Sequence, residues 1–490
     1  GVKVALSGLG GDELFGGYPS FRNTPRLARL LPFWRGFPRS IRRQVVARLS
    51  RGHTRARKLG DFLEHARNVA HDPRHHAPVE QQRRQRADDE DDRQRAECKH
   101  ETRARPRFGG PAGSGLSSEA LPVKWDAGAV AWKTTLKGTG QSSVVNWGDR
   151  LFLTSGSADG TERWVHCLDR QTGKLLWERE VKVAAPEVIH RMNTFASPSC
   201  ATDGERVVAF FGPGGLHCFD LDGKPQWSRE LGTFPGPWGV AASPIIDGDL
   251  VLQNCDAEGA SSLVALNKRT GEPVWTAKRA RAERGGWSTP VVIEVAGRRE
   301  LVLSGEPGVN AYDPATGREL WFCKSFVGRG EPAPVFAHGL LYVVSGLAGN
   351  TYALRPGGGG DVTATHRVWD AKRFGGRDQP GPAVVGDFVL ISSMSGILTS
   401  YDAKSGAVHF SERLGATLVA SPLVANGLVY FQMESGEVVV IKPGKTLEIV
   451  ARNSPGAGRG ELFRASLSPI QGQLFTRSRS VVYCIAPPAP

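Results

Sequence analysis

The sequence of 490 residues has no uninterrupted apolar stretch that approaches the roughly 20 residues needed to cross a bilayer, so no transmembrane segment is predicted. It begins at Gly1 without a methionine, and nothing at its start resembles a signal peptide. We expect either a truncated start or a chain in which targeting is not encoded. Aromatic residues make up only 8% whereas glycines number 60, a balance typical of a turn-rich β protein rather than a helical one.

The spacing of the cysteines gives no sign of a metal site. The seven cysteines include no CxxC motif and no adjacent pair, so the spacing that a zinc site needs is absent. Cys167, Cys218 and Cys484 instead fall at one phase of short apolar strands. We therefore expect small core residues with free thiols, which leave the redox compartment open.

The positive charge of the chain is local. The formal net charge is +13, but residues 1–107 hold 24 Lys or Arg against 13 Asp or Glu, which places +11 there and +2 in the remainder. Basic arms do bind nucleic acid, yet Arg-rich linkers are at least as common, and the main part of the chain is nearly neutral. No nucleic-acid partner is expected.

The composition changes along the chain. Residues 1–66 predict one strand, a Gly-rich turn and Arg-rich helices. Residues 67–107, which include the acidic run from Asp88 to Asp92, have almost no large apolar side chains and predict a disordered charged linker. A lead-in segment at 108–129 follows, and 487–490 form a tail. From Phe108 onward, short β-branched strands separated by Gly, Asp and Pro predict an antiparallel all-β array.

A short phrase recurs through that array: an acidic or amide residue, two others, Thr-Gly, and a large aromatic residue four positions after the glycine. Complete copies read DRQTG, NKRTG and DPATG and close with Trp177, Trp275 and Trp321, while weaker copies close with Trp227 and Phe410. The glycine supplies a positive φ, and the Asp or Asn side chain can bond back to the turn amides. We expect the aromatic residues to pack between neighbouring units, a structural role rather than a ligand cage.

Two markers count the units. Small residues, mostly followed by proline, lead into eight strands: Ser142-Ser143, Ser197-Pro198, Ser243-Pro244, Thr289-Pro290, Ala333-Pro334, Gly381-Pro382, Ser421-Pro422 and Ser468-Pro469. Aromatic residues close six of these units, and a weak seventh closes at Leu447: Trp177, Trp227, Trp275, Trp321, Trp369 and Phe410. The eighth unit has no closing strand of its own.

An orphan closing strand, Ala131 to Leu136, precedes the first unit and balances the count. Units of about 40–50 residues with four short strands are propeller blades. The sequence therefore predicts an all-β, eight-bladed β-propeller of four-stranded antiparallel blades over 130–486, whose last blade is closed by the strand at about 130–136. Seven blades are the nearest alternative; a linear solenoid would not explain the orphan strand.

The repeats LDRQTGKLLWERE, YDPATGRELWFCK and LNKRTGEPVWTAK resemble PQQ-like propeller repeats, which quinoprotein dehydrogenases share with the BamB-type outer-membrane assembly lipoprotein. The resemblance covers about residues 107–486. It implies that an active dehydrogenase would carry a vicinal disulfide beside the quinone and a calcium site built from Glu, Asn and Asp. No Cys-Cys pair exists here, so a PQQ cofactor is not expected. Glu306, Glu331 and Glu434 lie where they could border an axial channel, and we interpret them as solvated loop residues.

The strongest chemical motif lies at the start, where a strand (Val2 to Leu6) leads into SGLGGDELFGGY. Glycine lets backbone amides approach phosphate, and an adjacent carboxylate can hold Mg²⁺. The motif resembles the second nucleotide-site loop of the asparagine synthetase ATP-pyrophosphatase domain. That resemblance implies a site for ATP or pyrophosphate with Mg²⁺, formed as follows: Ser7, Gly8, Gly10 and Gly11 along the AMP or pyrophosphate, Asp12 as the Mg²⁺ ligand, and Glu13 at the border of the pocket.

The rest of that enzyme is missing. There is no N-terminal Cys glutaminase domain and no SGGxDS loop, which holds most of the triphosphate. We therefore expect residues 1–66 to be an incomplete fragment without catalysis. A gene fusion would explain its presence, and so would a misassembled or frameshifted reading frame.

Three functions follow from these patterns. The leading hypothesis is a non-catalytic propeller, with no catalytic residues, that acts as a scaffold for a protein or small-ligand partner on its face. The alternatives are a glutamine-hydrolysing asparagine synthase, an ATP-dependent ligase represented only by a fragment, and a PQQ-dependent dehydrogenase. The propeller resemblance implies a place outside the cytoplasm and the synthetase-like start implies the cytoplasm, so the compartment is undecided.

Overall fold

The computed structural model describes residues 104–279, 285–306, 308–325, 330–345, 350–376 and 380–486. The chain divides into two units, residues 1–96 and 97–490, and every described residue belongs to the second. The predicted fragment at 1–66, the linker as far as residue 103 and the tail at 487–490 lie outside the described residues.

Eight sheets account for nearly all of the described strands, which confirms the eight-bladed propeller. Before the first complete blade come three strands: β1 (Ala104–Arg105), β2 (Leu116–Ser117) and β3 (Val130–Thr135). A 3-10 turn at Ala127–Ala129 leads into β3. Apart from β3 and the added strands β1, β2 and β23 (Gly360–Asp361), the strands of each blade follow one another in chain order from the axis outward.

The first four blades contain sixteen strands. They are β4–β7 in blade 1 (Val145–Trp147, Arg150–Gly156, Glu162–Asp169, Leu175–Lys182), β8–β11 in blade 2 (Ala201–Thr202, Val207–Phe210, Leu216–Phe219, Pro225–Arg229, with a 3-10 turn at Gly212–Gly214), β12–β15 in blade 3 (Ile245–Asp247, Leu250–Cys255, Ser262–Asn267, Pro273–Lys278) and β16–β19 in blade 4 (Val291–Val295, Arg298–Gly305, Gly308–Tyr312, Glu319–Lys324).

The second half is less regular. Its strands are β20–β22 and β24 in blade 5 (Val335–Ala337, Leu340–Val344, Thr351–Leu354, Arg367–Ala371), with β23 (Gly360–Asp361) and the short helix α1 (Thr363–His366) inserted before β24; β25–β28 in blade 6 (Ala383–Val385, Phe388–Ser392, Ile397–Asp402, Val408–Arg413); β29–β32 in blade 7 (Leu423–Ala425, Leu428–Gln432, Val438–Lys442, Glu448–Asn453); and β33–β35 in blade 8 (Ser468–Ile470, Gln473–Arg477, Val481–Ile485).

The ring closes as the orphan strand predicts. β3 is the outermost strand of blade 8 and pairs antiparallel with β35, placing Trp132 opposite Cys484 and Thr135 opposite Val481. The start and the end of the ring therefore share one sheet, and the last blade has no missing strand. This pairing joins the two ends of the ring and leaves β35 without an unpaired edge at which another chain could associate.

The aromatic residues join each blade to the next one. In five joints a tryptophan ring lies on the turn glycine of the following blade, so that a Cβ added to that glycine would lie within 2.7 Å of the ring. The indole nitrogen of the same tryptophan donates to a carbonyl of that turn at 2.8–3.0 Å. The pairs are Trp132 with Gly173, Trp177 with Gly223, Trp227 with Gly271, Trp275 with Gly317 and Trp369 with Gly406.

The turns themselves have the predicted geometry. Gly173, Gly271 and Gly406 have φ of 69°, 70° and 72°. The carboxylate of Asp169 accepts from the amide of Thr172 at 2.8 Å, and the side chain of Asn267 accepts in the same way from its own turn. Glycine is therefore required at this position, because the turn is left-handed there and an added Cβ would meet the indole ring.

The residue opposite each of these tryptophans is small. Cys167 faces Trp177, Cys218 faces Trp227 and Cys484 faces Trp132, while alanine takes the same position opposite the tryptophans of blades 3 to 5. All three cysteines are fully buried, and their thiols are free. This confirms the prediction that they are small core residues, because a larger side chain would compete with the indole for space.

Trp321 departs from the pattern. It packs in a core shared by blades 4 and 5, as predicted, but its indole nitrogen donates to the buried carboxylate of Glu300 at 2.7 Å. The reason is the insertion in blade 5: β23 replaces the Thr-Gly turn and runs parallel to β19, with Gly360 beside Trp321. No turn carbonyl is available in the usual position, so a carboxylate from within the blade replaces it.

Candidate functional site

Eight equivalent residues surround the axis of the propeller. Each lies two positions before the innermost strand of its blade, and together they line a central cavity of about 390 Å³. From blade 1 to blade 8 they are Ser143, Ser199, Ser243, Thr289, Ala333, Gly381, Ser421 and Ser466. A single repeated position thus contributes to the cavity from every blade.

Hydroxyl groups at this position link neighbouring blades. The amide of Ser143 donates to Oγ of Ser199 at 2.8 Å, that of Ser199 to Ser243 at 2.9 Å, and that of Ser243 to Oγ1 of Thr289 at 3.0 Å. In the other direction, the amide of Ser466 donates to Oγ of Ser143 at 3.0 Å. We call the hydroxyls of Ser466, Ser143, Ser199, Ser243 and Thr289 the hydroxyl arc.

The arc ends where the sequence changes. The amide of Ser421 in blade 7 donates to Oγ of Ser466 at 3.1 Å, but blades 5 and 6 carry Ala333 and Gly381, which have no hydroxyl. Prolines border the cavity on this side, at Pro332 and Pro380. At this position the wall of the cavity therefore carries hydroxyl residues in six adjacent blades, five of them in the arc, and none in blades 5 and 6.

Residues 104–117 form the floor of the cavity. β1 pairs with β4, placing Ala104 opposite Trp147, and β2 runs parallel to β29 of blade 7. Between them, the carbonyl of Pro106 accepts from the amide of Thr202 in blade 2 at 2.8 Å, and Phe108 lines the cavity. The segment crosses several blades at the end toward which the inner strands run, so it closes that end of the axis.

The opposite end, which we call the mouth, is rich in aromatic and thioether side chains. His190, Met192, Trp238, Trp287 and Met394 border it, and each is partly exposed. The rings of His190 and Trp238 lie 5.2 Å apart, and the indole nitrogen of Trp287 donates to the carbonyl of Gly239 at 2.7 Å. Loops between blades thus carry four of these side chains, and Met394 lies in the turn between β26 and β27 of blade 6.

The three glutamates considered in the sequence, Glu306, Glu331 and Glu434, differ in their position relative to the cavity. Glu331 lines the cavity. Glu434 accepts from Nε of Arg464 at 2.6 Å, and the Arg464 side chain, which lines the cavity, is 7% exposed. Glu306 is not among the residues that line the cavity. Glu331 thus borders the axial cavity and Glu434 lies beside it in an ion pair, which is the axial alternative rather than the favoured interpretation as solvated loop residues.

A buried cation lies behind the arc. Arg477 is 1% exposed, and its guanidinium donates to Oγ of Ser142 and to the carbonyl of Thr154, each at 2.9 Å. Among the described residues it forms no ion pair. Burial lowers the pKa of Arg477 to about 9, so the side chain remains charged at neutral pH.

In blade 1 a serine, a histidine and a glutamate are linked in sequence by polar contacts, in the order of a nucleophile, a base and an acid. Oγ of Ser155 lies 2.6 Å from Nε2 of His166, and Nδ1 of His166 lies 3.1 Å from the carboxylate of Glu178. Ser155 is fully buried, does not line the central cavity, and its hydroxyl also contacts the carbonyl of Lys137. These three side chains therefore satisfy one another's buried polar groups and offer no access to a substrate.

His166 of this serine–histidine–glutamate arrangement is held neutral. Burial, together with the positive charges of Arg477 and Lys137, lowers the pKa of His166 to about 3, although Glu178 lies beside it. The sequence predictions did not include this arrangement. The arrangement could have been recognised from His166 and Glu178, which lie opposite each other on β6 and β7, but only once the register of these two strands is known.

The residues of the cavity do not fit a calcium–quinone centre. The six described cysteines are buried and free, and none adjoins another: Cys167, Cys200, Cys218, Cys255, Cys323 and Cys484. Within the described ranges, no group of three or more His, Cys, Asp or Glu side chains could hold a metal ion. The carboxylate of Glu434, which lies beside the cavity, is already bound by Arg464.

The nucleotide-type residues predicted at the start of the chain lie outside the described residues: Ser7, Gly8, Gly10, Gly11, Asp12 and Glu13. Their roles, including Asp12 as a Mg²⁺ ligand, stay predictions. In the part of the chain that the structure describes, no helix has the length and apolar character needed to cross a membrane.

Comparison with known families confirms both sequence resemblances. The family described as outer membrane protein assembly factor BamB matches residues 114–254, 259–357 and 358–447. A second family, asparagine synthase, matches residues 1–109. The first match covers more than half of the chain, whereas the second is confined to its start.

The two curated relatives are an assembly factor and an enzyme. BamB from Xanthomonas campestris pv. campestris is 22% identical over 225 residues, covering 45% of this chain and 42% of the relative. A polyvinylalcohol dehydrogenase from Pseudomonas sp is 24% identical, covering 63% of this chain and 56% of the relative. The chain thus spans about half the length of the curated relatives it matches.

Solved structures agree on the fold. BamB from Moraxella catarrhalis superposes with a TM-score of 0.55 at 18% identity, covering 74% of this chain and 98% of that structure. Quinohemoprotein alcohol dehydrogenase from Comamonas testosteroni superposes with a TM-score of 0.56 at 14% identity, covering 80% and 82%. At such identities the likeness establishes the architecture and leaves the activity open.

Proposed function

The chain belongs to the family of the outer membrane protein assembly factor BamB, and from that premise we propose that its propeller is a non-catalytic scaffold that binds a protein partner at the mouth of the axial cavity. The curated relatives of the chain include both an assembly factor and an enzyme, so the choice between the two functions depends on the site. A place outside the cytoplasm, as the family description suggests, is part of the proposal.

The composition of the mouth is the observation that carries this proposal. Two of the three methionines of the chain, Met192 and Met394, lie there together with Trp238 and Trp287. Aromatic residues, methionine and arginine are enriched in the cores of protein interfaces, where they supply large contact areas. Because loops of a closed ring hold these side chains, little ordering is needed when a partner binds.

The polar groups of the cavity favour binding over chemistry. The oxygens of the hydroxyl arc accept from main-chain amides, and the imidazole of His190 lies against Trp238 rather than against a hydroxyl. Arg464 is bound by Glu434. A nucleophile needs a base within hydrogen-bond reach, and the described residues that line the cavity supply no such pair.

Affinity capture with the full chain tests the proposal. We expect that a defined set of proteins from cells expressing the chain is retained by the unmodified protein and by Leu176→Ala, a control on the outer strand β7 whose side chain is 50% exposed. Trp238→Ala should lose that set while keeping its unfolding midpoint. Equal retention by both variants would place the partner elsewhere and contradict the proposal.

A second candidate is favoured by the asparagine synthase match at residues 1–109. The fragment would act in ATP-dependent amide transfer, with ATP and Mg²⁺ at the Gly-rich loop. ATP–pyrophosphate exchange by the full chain that is abolished in Asp12→Ala would support it. No exchange above background would leave the fragment without activity of its own, as the missing loops predict.

A further inference from the structure

The hydroxyl arc has hydrogen-bond donors that the protein does not use. Each of its oxygens accepts from the amide of a neighbouring blade, which leaves the hydroxyl hydrogen still to be donated. None of these hydroxyls has an acceptor among the described residues. All five line the central cavity, so an acceptor that satisfies them must come from its contents.

The electrostatics on this side favour an anion. Arg477 lies behind the arc, bonded to Ser142, the neighbour of Ser143, and has no counter-ion among the described residues. The other cation at the cavity, Arg464, is matched by Glu434. Glu331 belongs to blade 5, on the opposite side from the arc. Main-chain carbonyls and the hydroxyl of Ser142 accept from the Arg477 guanidinium, but no carboxylate of the described residues neutralises it, so its net positive charge favours an anion in the neighbouring cavity.

Apart from the carboxylate of Glu331 and the hydroxyl of Ser421, the wall opposite the arc is apolar. Pro332, Ala333, Pro380 and Gly381 form it, and Ala420 of blade 7 continues it. The volume of about 390 Å³ lies at the lower end of the range for small-molecule pockets. A suitable ligand therefore has acceptor oxygens with negative charge on one side and an apolar group on the other.

We propose that the axial cavity binds a carboxylate with an apolar substituent, whose oxygens accept from the hydroxyl arc and whose substituent lies against the proline-rich wall. The inference rests on the proposed scaffold function, because the protein held at the mouth is one source of such a group, through its C-terminal residue. A free organic acid has the same chemistry and is the other source.

Calorimetric titration of the full chain with three probes tests the proposal. They are an acetylated pentapeptide that ends in phenylalanine with a free carboxylate, the same peptide as its C-terminal amide, and phenylacetate. We expect saturable binding of one or both acids and binding of the amide at least about tenfold weaker, because hydrogen bonds to a charged acceptor are lost. The stronger acid identifies the source. Equal binding of acid and amide, or no binding of either acid, would overturn the proposal.

Three variants locate the site. Ser243→Ala removes one hydroxyl of the arc and should weaken acid binding about tenfold. Ser243→Thr should bind normally, because Thr289 occupies the equivalent position in the next blade. Ser468→Ala is the matched control: its buried hydroxyl donates to the carbonyl of Val144 at 2.8 Å and does not line the cavity. Acid binding that is unchanged in Ser243→Ala, or equally weakened in Ser468→Ala, would refute the site.

The two proposals can fail separately. If Trp238→Ala abolishes partner capture while neither acid binds, the scaffold function stands and the carboxylate site falls. If an acid binds through Ser243 but no partner depends on Trp238, the cavity is a small-molecule site without the protein partner. The comparison of acid with amide is made on the unmodified chain, so it does not depend on the folding of any variant.

Discussion

Replacing Gly271 by alanine isolates the joint between two blades. Gly271 has a φ of +70°, and a Cβ added there would lie 2.6 Å from Cδ2 of Trp227. The substitution therefore forces both a left-handed alanine and a displaced indole. Gly248→Ala is the matched control, because Gly248 has a φ of +58° and no atom would lie within 4 Å of the new Cβ.

The two substitutions should differ in cost by a predictable amount. The left-handed conformation alone costs an alanine about 1–2 kcal/mol, which is the whole effect expected for Gly248→Ala. At Gly271, displacement of the indole adds about 1 kcal/mol for its hydrogen bond to the Lys268 carbonyl, which is 2.8 Å long. Lost ring packing adds roughly 1 kcal/mol more, so we expect about 3–4 kcal/mol in total.

Urea unfolding of the full chain, followed by far-UV circular dichroism, measures these costs. In a Trp227→Ala background, Gly271→Ala should cost no more than the control, because there is no ring left to displace. Equal costs for Gly271→Ala and Gly248→Ala, or a cost at Gly271 that persists without Trp227, would refute the assignment of the Thr-Gly turn as a receptor for the indole.

Three further outcomes are expected. The pKa of His166 is about 3 in the folded protein and near 6.5 in the unfolded chain, so its contribution to stability is complete above pH 6.5 and is lost as the pH falls toward 3. His166→Gln should therefore flatten that part of the pH profile of the unfolding midpoint. An unchanged profile would contradict the buried, neutral histidine. Ala265→Leu, opposite Trp275, should destabilise the protein by about 1–3 kcal/mol through overpacking, and a neutral effect on urea unfolding would show that the small residue is not required. Titration with PQQ and Ca²⁺ should give neither saturable binding nor dye-linked alcohol oxidation, and turnover would restore the dehydrogenase alternative.

The architecture was open to prediction because its signals are local and repeated. Each Thr-Gly turn is specified within five residues, and the position of Trp227 four residues after its glycine already indicates a joint. The orphan strand before the first blade could be matched to the missing strand of the last one by counting alone. Trp321 was the exception, since the insertion that removes its turn lies in the following blade.

The cavity was less accessible to prediction because its residues are distant along the chain. Ser143 and Ser466 share a hydrogen bond across 323 positions, and that contact exists only after the ring has closed. The floor was missed for a related reason: residues 104–117 have no repeat pattern, and their contacts involve blades 1, 2 and 7. The hydroxyl position itself was visible as a small residue before each strand, but its chemistry was not.

Site-specific photo-cross-linking in cells that express the chain tests the central claim most directly. A photoreactive phenylalanine analogue at position 238, on the mouth, should give a discrete adduct with a protein partner, whereas the same analogue at position 176, on the outer strand of blade 1, should not. No adduct from position 238, or the same adducts from both positions, would contradict a scaffold that binds its partner at the mouth of the axial cavity.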